Sequence, residues 1–597
     1  MFATPAYGAD PQGYAVKIVA TGQKELDQAL HDSATLVSLR QNASVGPFAL
    51  VARARNDYGR LIEALHSFGY YAGTVAITVD GLNLDDPALP DKLDAEPKGS
   101  QVPVVVVPKL GPQFHIGRLS LQAGEPALAA PALAAAGQLQ TALQREGRPL
   151  AKVAAPVATL DPAQHTVNLT YQVDAGPQAD IGGITVSGER TLNESYIRRR
   201  LALHAGERYD PRTIETARES LEAVPAVASV RITNPDQLDS VGQLPLFVQV
   251  AERKLHAIDL SAMWSTDQGG SVTASWTDRN MFGNAEQLVL SAAATQLGGS
   301  ASKQPGYDLG ALLTFPDWQA QGQTLALNAQ AVKEYLQAYD RTAALATAIL
   351  SQKLSDELTV SGGLAFEEAR IEQEDVTRTY TLPQVPLALA YDSTHSLFEP
   401  ISGFRANLMV TPTYSLGSGN AASTRSGNSV FVIFQASGST YLDVGHWLLD
   451  EDTGRSILAL RGLIGTISGS NTFGIPPDQR FYAGGGGTIR GWRYQSVGPA
   501  FSDGTPAGGT SIAVASVELR QRILKDYGAV AFLDAGEVNG RGTTLVGDGT
   551  VRLGAGVGLR YFTPIGPIRV DVAVPLNKDP RTKTDAVEAY LGLGEAF

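Results

Sequence analysis

Three charged residues are spaced as though to meet one another. Arg490 lies in RFYAGGGGTIRGW (480–492), Glu518 in AVASVEL (513–519) and Asp534 in FLDAG (532–536). A guanidinium between two carboxylates makes strong charge-assisted hydrogen bonds. The chemistry on offer is fastening rather than turnover. No G-x-S-x-G, H-E-x-x-H or G-x-G-x-x-G pattern occurs, and no Lys-Ser/Thr follows the run Gly484 to Gly487, so a phosphate loop is unsupported. The eight histidines are scattered and cysteine is absent, which excludes disulfides and thiolate centres. The chain is expected to be no enzyme and to carry no cofactor or metal. A net charge of −13 argues against a nucleic-acid binder.

The elements that must position these residues change character near residue 255. Before it, helices and strands alternate. Tyr14–Thr21 reads as a strand, Lys24–Gln41 and Phe48–Tyr70 as helices, and Thr74–Val79 and Pro103–Pro108 as strands. The pattern returns with strand 114–121, helix 131–145 and strands 153–160 and 166–173. It returns again with strand 181–186, helices 193–203 and 211–223, and strands 228–233 and 246–250. Asp210 is placed to cap the last helix, with Pro211 in its first turn. The result is a threefold internal repeat of architecture. Residues 1–12 read as a separate N-terminal segment, either a remnant of a signal-peptide cleavage region or a disordered end.

After residue 255 the helical period gives way to alternating segments separated by turn clusters, about 16 strands in all. No apolar run reaches the roughly 18 residues of a helical span, but a membrane barrel needs only about 9 to 11 per strand. In 551–562, Val551, Leu553, Ala555, Val557, Leu559 and Tyr561 share one face. The other carries Arg552, Arg560 and Gly554, Gly556 and Gly558. One face suits lipid and the other a polar lumen. The same alternation turns Glu518, Asp534 and Gly536 inward. A loop folded back into the lumen would lie in the groove left by Gly554, Gly556 and Gly558, latched by Arg490. Periodicity alone leaves open a second reading, in which these are independent charges lining a porin.

At these residues the chain resembles a known family. RFYAGGGGTIRGW is similar to the inward-folding loop of the BamA/TamA superfamily of outer-membrane assembly proteins, and FLDAG to its paired strand motif. ERKLHAIDLSAMWSTDQGG (252–270), GPIRVDVAVPL (566–576) and AYLGLGEAF (589–597) resemble its first and last barrel strands. Three repeats before the barrel resemble the TamA-like branch, the barrel subunits of translocation and assembly modules. The resemblance implies an α+β region of three POTRA domains (13–110, 111–177 and 178–254) and a 16-stranded antiparallel transmembrane β-barrel (255–597). It implies a latch of Arg490, Gly491 and Trp492 held by Glu518, Asp534 and Gly536.

The mechanism it implies is lateral opening. Closure of a barrel leaves no unpaired edge. A seam that opens between the first strand (about 257–266) and the last (about 587–597) would offer edges to an incoming strand. The expected gate residues are Leu260, Leu591, Gly592, Gly594 and Phe597. The two glycines weaken strand pairing there, while Glu595 departs from the apolar residue expected near the end. The implied location is the bacterial outer membrane, with the POTRA domains in the periplasm. The implied partners are a TamB-like inner-membrane-anchored protein, unfolded outer-membrane protein substrates such as autotransporters, and the lipid bilayer. A two-partner secretion translocator and a passive porin or receptor barrel are the competing readings.

Overall fold

The computed structural model describes residues 13–40, 46–97, 100–116, 129–419, 428–445, 453–540, 550–563, 566–578 and 586–593. They form two compact units, and the division runs through the third repeat. One comprises Met1–Thr185, Leu203–Thr216 and Ile232–Phe247. The other comprises Val186–Ala202, Ala217–Arg231 and Val248–Phe597.

In the first unit, the strands Gly13–Ile18, Gln101–Lys109, Thr74–Val79 and Leu82–Asn83 form a four-stranded sheet in that spatial order. Strict alternation in Gln101–Lys109 turns Val102, Val104 and Val106 inward. The helix Pro47–Ser67 covers them with Leu50, Ala54, Leu61 and Leu65. Pro47 opens that helix, where its missing N–H costs nothing. The helix expected over 24–41 is broken. It runs Lys24–Ser33 and resumes as Thr35–Ser38, because Ala34 is extended between them. The buried Asp57 carboxylate satisfies the restart, accepting from the Leu36 amide and the Thr35 hydroxyl. A short helix, Leu89–Asp94, has no strong sequence signal. The middle repeat is thin. Among the described residues it has one helix, Ala129–Arg145, with a three-stranded sheet and a two-stranded pair, and a buried core centred on Phe114 and Val167.

The third repeat has the sheet order Ile181–Ser187, Leu244–Glu252, Val227–Thr233, with helices Glu194–Leu201 and Pro211–Glu222. Asp210 accepts from the Arg212 amide at 2.9 Å, as the capping pattern implies. Within the second unit this repeat meets two turns of the barrel. Arg200 bonds both oxygens of Asp317, at 2.7 and 2.9 Å, and Tyr196 donates to the same carboxylate. The Asn193 amide donates to the Gly283 carbonyl at 2.7 Å.

The barrel is closed, antiparallel and sixteen-stranded, running from His256–Ser265 to Glu588–Leu593. Its eighth strand is interrupted: Val376–Gln384 and Leu387–Asp392 both lie between the seventh and ninth strands. Alternation sets the facing. In the twelfth strand, Ser511–Arg522, Val517 and Leu519 are exposed outward while Ser516, Glu518 and Arg520 are buried inward.

Glu252 closes the third repeat onto its own loop. Its carboxylate accepts from the Arg190, Thr191 and Leu192 amides and from the Thr191 hydroxyl. Partial burial pushes its pKa up, but these hydrogen bonds outweigh it and hold the pKa below the ordinary glutamate value. A depressed carboxylate stabilises the fold above its unfolded pKa and ceases to do so as the pH falls through the folded one. Glu252→Gln is therefore expected to speed hydrogen exchange of the 190–192 amides at neutral pH. Acidification of the native protein through the Glu252 pKa should lower the protection factors of the same amides, once the slower intrinsic exchange at low pH is divided out.

Candidate functional site

The segment between the eleventh strand, Ser456–Ser468, and the twelfth folds into the lumen. Ile489 and Trp492 are fully buried and pack with Ala483, Val497, Ile512, Val514 and Val538. This apolar footing delivers Arg490 to its partners. Its Nε and Nη2 bond the two oxygens of Asp534 at 2.8 and 3.0 Å, and its own amide donates to Asp534 at 3.0 Å. Nη1 reaches Glu518 at 2.7 Å. The guanidinium lies 3.4 Å from the centre of the Phe532 ring, a close cation–π contact. All three charged side chains are 3% exposed or less. Burial at this level makes the ion pairs sensitive to loss of either partner, since a stranded charge has no water.

The network extends past the three residues singled out by sequence. Glu518 also accepts from Arg520 at 2.8 Å, and Asp571 pairs with Arg560 at 2.5 Å while lying 3.8 Å from Arg490. Gly491 and Trp492 have separate tasks. The Gly491 amide donates to the Tyr590 hydroxyl on the last strand at 3.1 Å. Its φ of +87° and its approach to the Val574 backbone leave no space for a side chain. The Trp492 indole donates to the Leu553 carbonyl at 2.9 Å. A Cβ on Gly536 would press on Ile489 and the Ala513 carbonyl.

The expected groove of three glycines is divided. Only Gly554 lies against the loop, where an added Cβ would overlap the Arg490 carbonyl. Gly556 makes room for the Phe532 ring and Gly558 for the Asp571 carboxylate. These two glycines accommodate the groups that surround Arg490, not the loop itself.

The loop has a second anchor that sequence reasoning missed. Asp478 bonds Arg341 of the sixth strand, Asp340–Lys353, at 3.1 Å. Arg341 also meets Glu334 of the fifth strand at 3.0 Å and Glu367 of the seventh at 3.3 Å. Gln479 donates to Glu367 at 3.1 Å, and Arg480 to Gln373 at 3.0 Å. The available signal was that Glu334 and Glu367 fall near the same ends of neighbouring strands as Arg341.

The structure sets the register of the seam, which alternation leaves open. Among the described residues the first and last strands pair at two positions, Trp264 with Leu591 and Ser265 with Tyr590. The Thr266 amide adds a bond to the Ala589 carbonyl at 3.0 Å. The first strand pairs with the second at ten positions. Leu260 therefore does not face Leu591. It lies four residues from Trp264, opposite Ala274 of the second strand, and is 77% exposed. Gly592 pairs with Arg569 of the fifteenth strand, Gly566–Pro575. Gly594 and Phe597 lie outside the described residues.

A closed sixteen-stranded barrel, an inward loop pinned by a buried arginine and a preceding α/β repeat define a class of outer-membrane β-barrel. Residues 280–597 match the Omp85 superfamily domain, and residues 179–253 match a POTRA domain described as a surface antigen variable number repeat. The chain belongs to the Omp85 superfamily. It is 23% identical over 479 residues to the outer membrane protein assembly factor BamA of Neisseria meningitidis serogroup B, covering 72% of this chain and 58% of that protein. It is also 23% identical over 441 residues to BamA of Neorickettsia risticii, covering 71% of this chain and 56% of that one. The chain thus spans under two thirds of the length of these relatives. The crystal structure of BamA from Haemophilus ducreyi lacking POTRA domains 1–3 superposes with a TM-score of 0.64 at 19% identity, covering 79% of this chain and 95% of that one.

Arg490→Ala is expected to destabilise the barrel by about 3 to 5 kcal/mol, because Glu518 and Asp534 lose their common partner. Arg490→Lys should recover little, since an ammonium cannot reproduce the fork. Urea unfolding of the refolded protein reads both. Gly554→Ala should displace the loop with every charged group intact, which tryptophan fluorescence of Trp492 would register.

Proposed function

We propose that this protein is an outer-membrane assembly factor that inserts or secretes β-barrel substrates by parting the barrel between its first and last strands. The observation that carries the reading is the seam: two paired positions among the described residues, beside a loop fastened to the last strand through Gly491 and Tyr590. A seam with two paired positions among the described residues is a weak line in the ladder, and a parted edge can pair with an incoming strand. In this reading the α/β region is three POTRA domains in the periplasm, where a TamB-like inner-membrane-anchored partner docks, and unfolded outer-membrane proteins, autotransporters among them, are the substrates. The TamA-like branch is proposed because GPIRVDVAVPL (566–576) and AYLGLGEAF (589–597) resemble that branch's last two strands. A passive porin has no use for a loop pinned across its lumen at two anchors.

Trp264 and Leu591 face each other directly. Facing residues of an antiparallel pair lie within reach of a disulfide, and the native chain has no cysteine to compete. Trp264→Cys with Leu591→Cys is expected to stop assembly of an autotransporter barrel when oxidised and to restore it on reduction. Undiminished assembly by the verified crosslinked protein would show that substrates do not pass the seam.

A further inference from the structure

The wall opposite the seam is also interrupted, and the cause is written in three prolines. Between the eighth strand and the ninth, Gly403–Gly419, the ladder pairs Thr381 with Leu416 and Gln384 with Thr413, then resumes at Leu387 with Val410. The positions of Leu382, Pro383, Val385 and Pro386 are skipped. In an antiparallel pair a residue directs its N–H and C=O to the same neighbour, and successive residues alternate sides. The Val385 amide donates to the Pro412 carbonyl at 3.0 Å, and the Gly363 amide to the Pro386 carbonyl at 3.1 Å. Pro412 and Pro386 return nothing, because proline has no N–H. By the same alternation Pro383 faces Tyr414 of the ninth strand with no donor. Three rungs of neighbouring ladders are therefore lost at one height. The outer face there carries a depression of about 660 Å³ lined in part by Leu364, Phe366, Pro383, Val385, Pro412 and Tyr414.

The position of this gap matters. Eight strands separate it from the seam in either direction, so the two weak lines divide the wall into strands one to eight and nine to sixteen. The lumenal loop has one anchor on each part: Asp478 on Arg341 of the sixth strand, and Arg490 on Glu518 and Asp534 of the twelfth and thirteenth.

We propose that the proline gap is a hinge, about which the two halves of the barrel move as leaves when the seam between the first and last strands parts. The hinge rests on the proposed lateral opening for its use, but its test needs no substrate. Valine at these positions restores the missing donors and keeps the outward faces apolar. Hydrogen exchange is measured on the full chain in phosphatidylcholine vesicles, native and with Pro383→Val, Pro386→Val and Pro412→Val combined. The expected result is exchange slowed about tenfold at 382–387 and, at a distance, at Trp264–Thr266 and Glu588–Leu591. Slowing confined to 382–387, or no slowing, overturns the hinge. If the triple variant does not fold, Pro412→Val alone returns a donor to the Val385 carbonyl and is read in the same way. Slowed seam exchange with assembly undiminished keeps the hinge and removes the assembly reading.

Discussion

A strand in hydrocarbon has no water to satisfy its backbone, so its amides and carbonyls must be paired along both edges. That requirement forces the sixteen strands into closure and makes every missing rung consequential. The ladder is nearly continuous from the first strand through the seventh and from the ninth through the fifteenth. Among the described residues it is thin at two places, the Trp264–Leu591 seam and the proline-bearing stretch of the eighth and ninth strands. Both are specific to sequence: the second follows from where prolines 383, 386 and 412 stand. The lumenal charges answer to the same low dielectric. Arg490, Glu518 and Asp534 can be buried together because each supplies what the others lack.

Much of this was legible from the chain because β structure has a period of two. Once Val517 and Leu519 are outward, Glu518 must be inward, and the same holds for Leu533 and Asp534. Alternation left the latch and independent lumenal charges both open, and the resemblance of RFYAGGGGTIRGW and FLDAG to a known family favoured the latch. The second anchor was not legible, because Asp478 reaches Arg341 through a loop whose path no period describes. Register escaped for a related reason. Alternation fixes which face a residue takes but not which residue of the neighbouring strand it meets, so Leu260 and Leu591 stood as gate residues with no register, and the structure pairs Leu591 with Trp264. In the α/β region the helix over 24–41 read as continuous because Ala34 carries no sign of its extended backbone. The middle repeat read poorly because it buries little.

The loop joins parts of the barrel that strand pairing keeps apart. Its apolar footing on Ile489 and Trp492 sets its depth, and ion pairs at its two shoulders set its span. Tyr590 receives its Gly491 amide one residue from the seam position Leu591. A displacement of the loop is thereby felt at the last strand through that hydrogen bond.

The contacts that close this molecule are also its most distant in sequence. Thr266 bonds Ala589 across 323 residues, whereas Arg490 reaches Glu518 across 28 and Asp534 across 44. Pairings of long separation form late, because the entropy of bringing the ends together must be met before they return anything. The latch can thus be complete while the first and last strands are still apart. A barrel with its loop seated and its two end strands still unpaired is a stage open to the folding chain, and in it the chain exposes the same strand edges that its proposed substrates would meet.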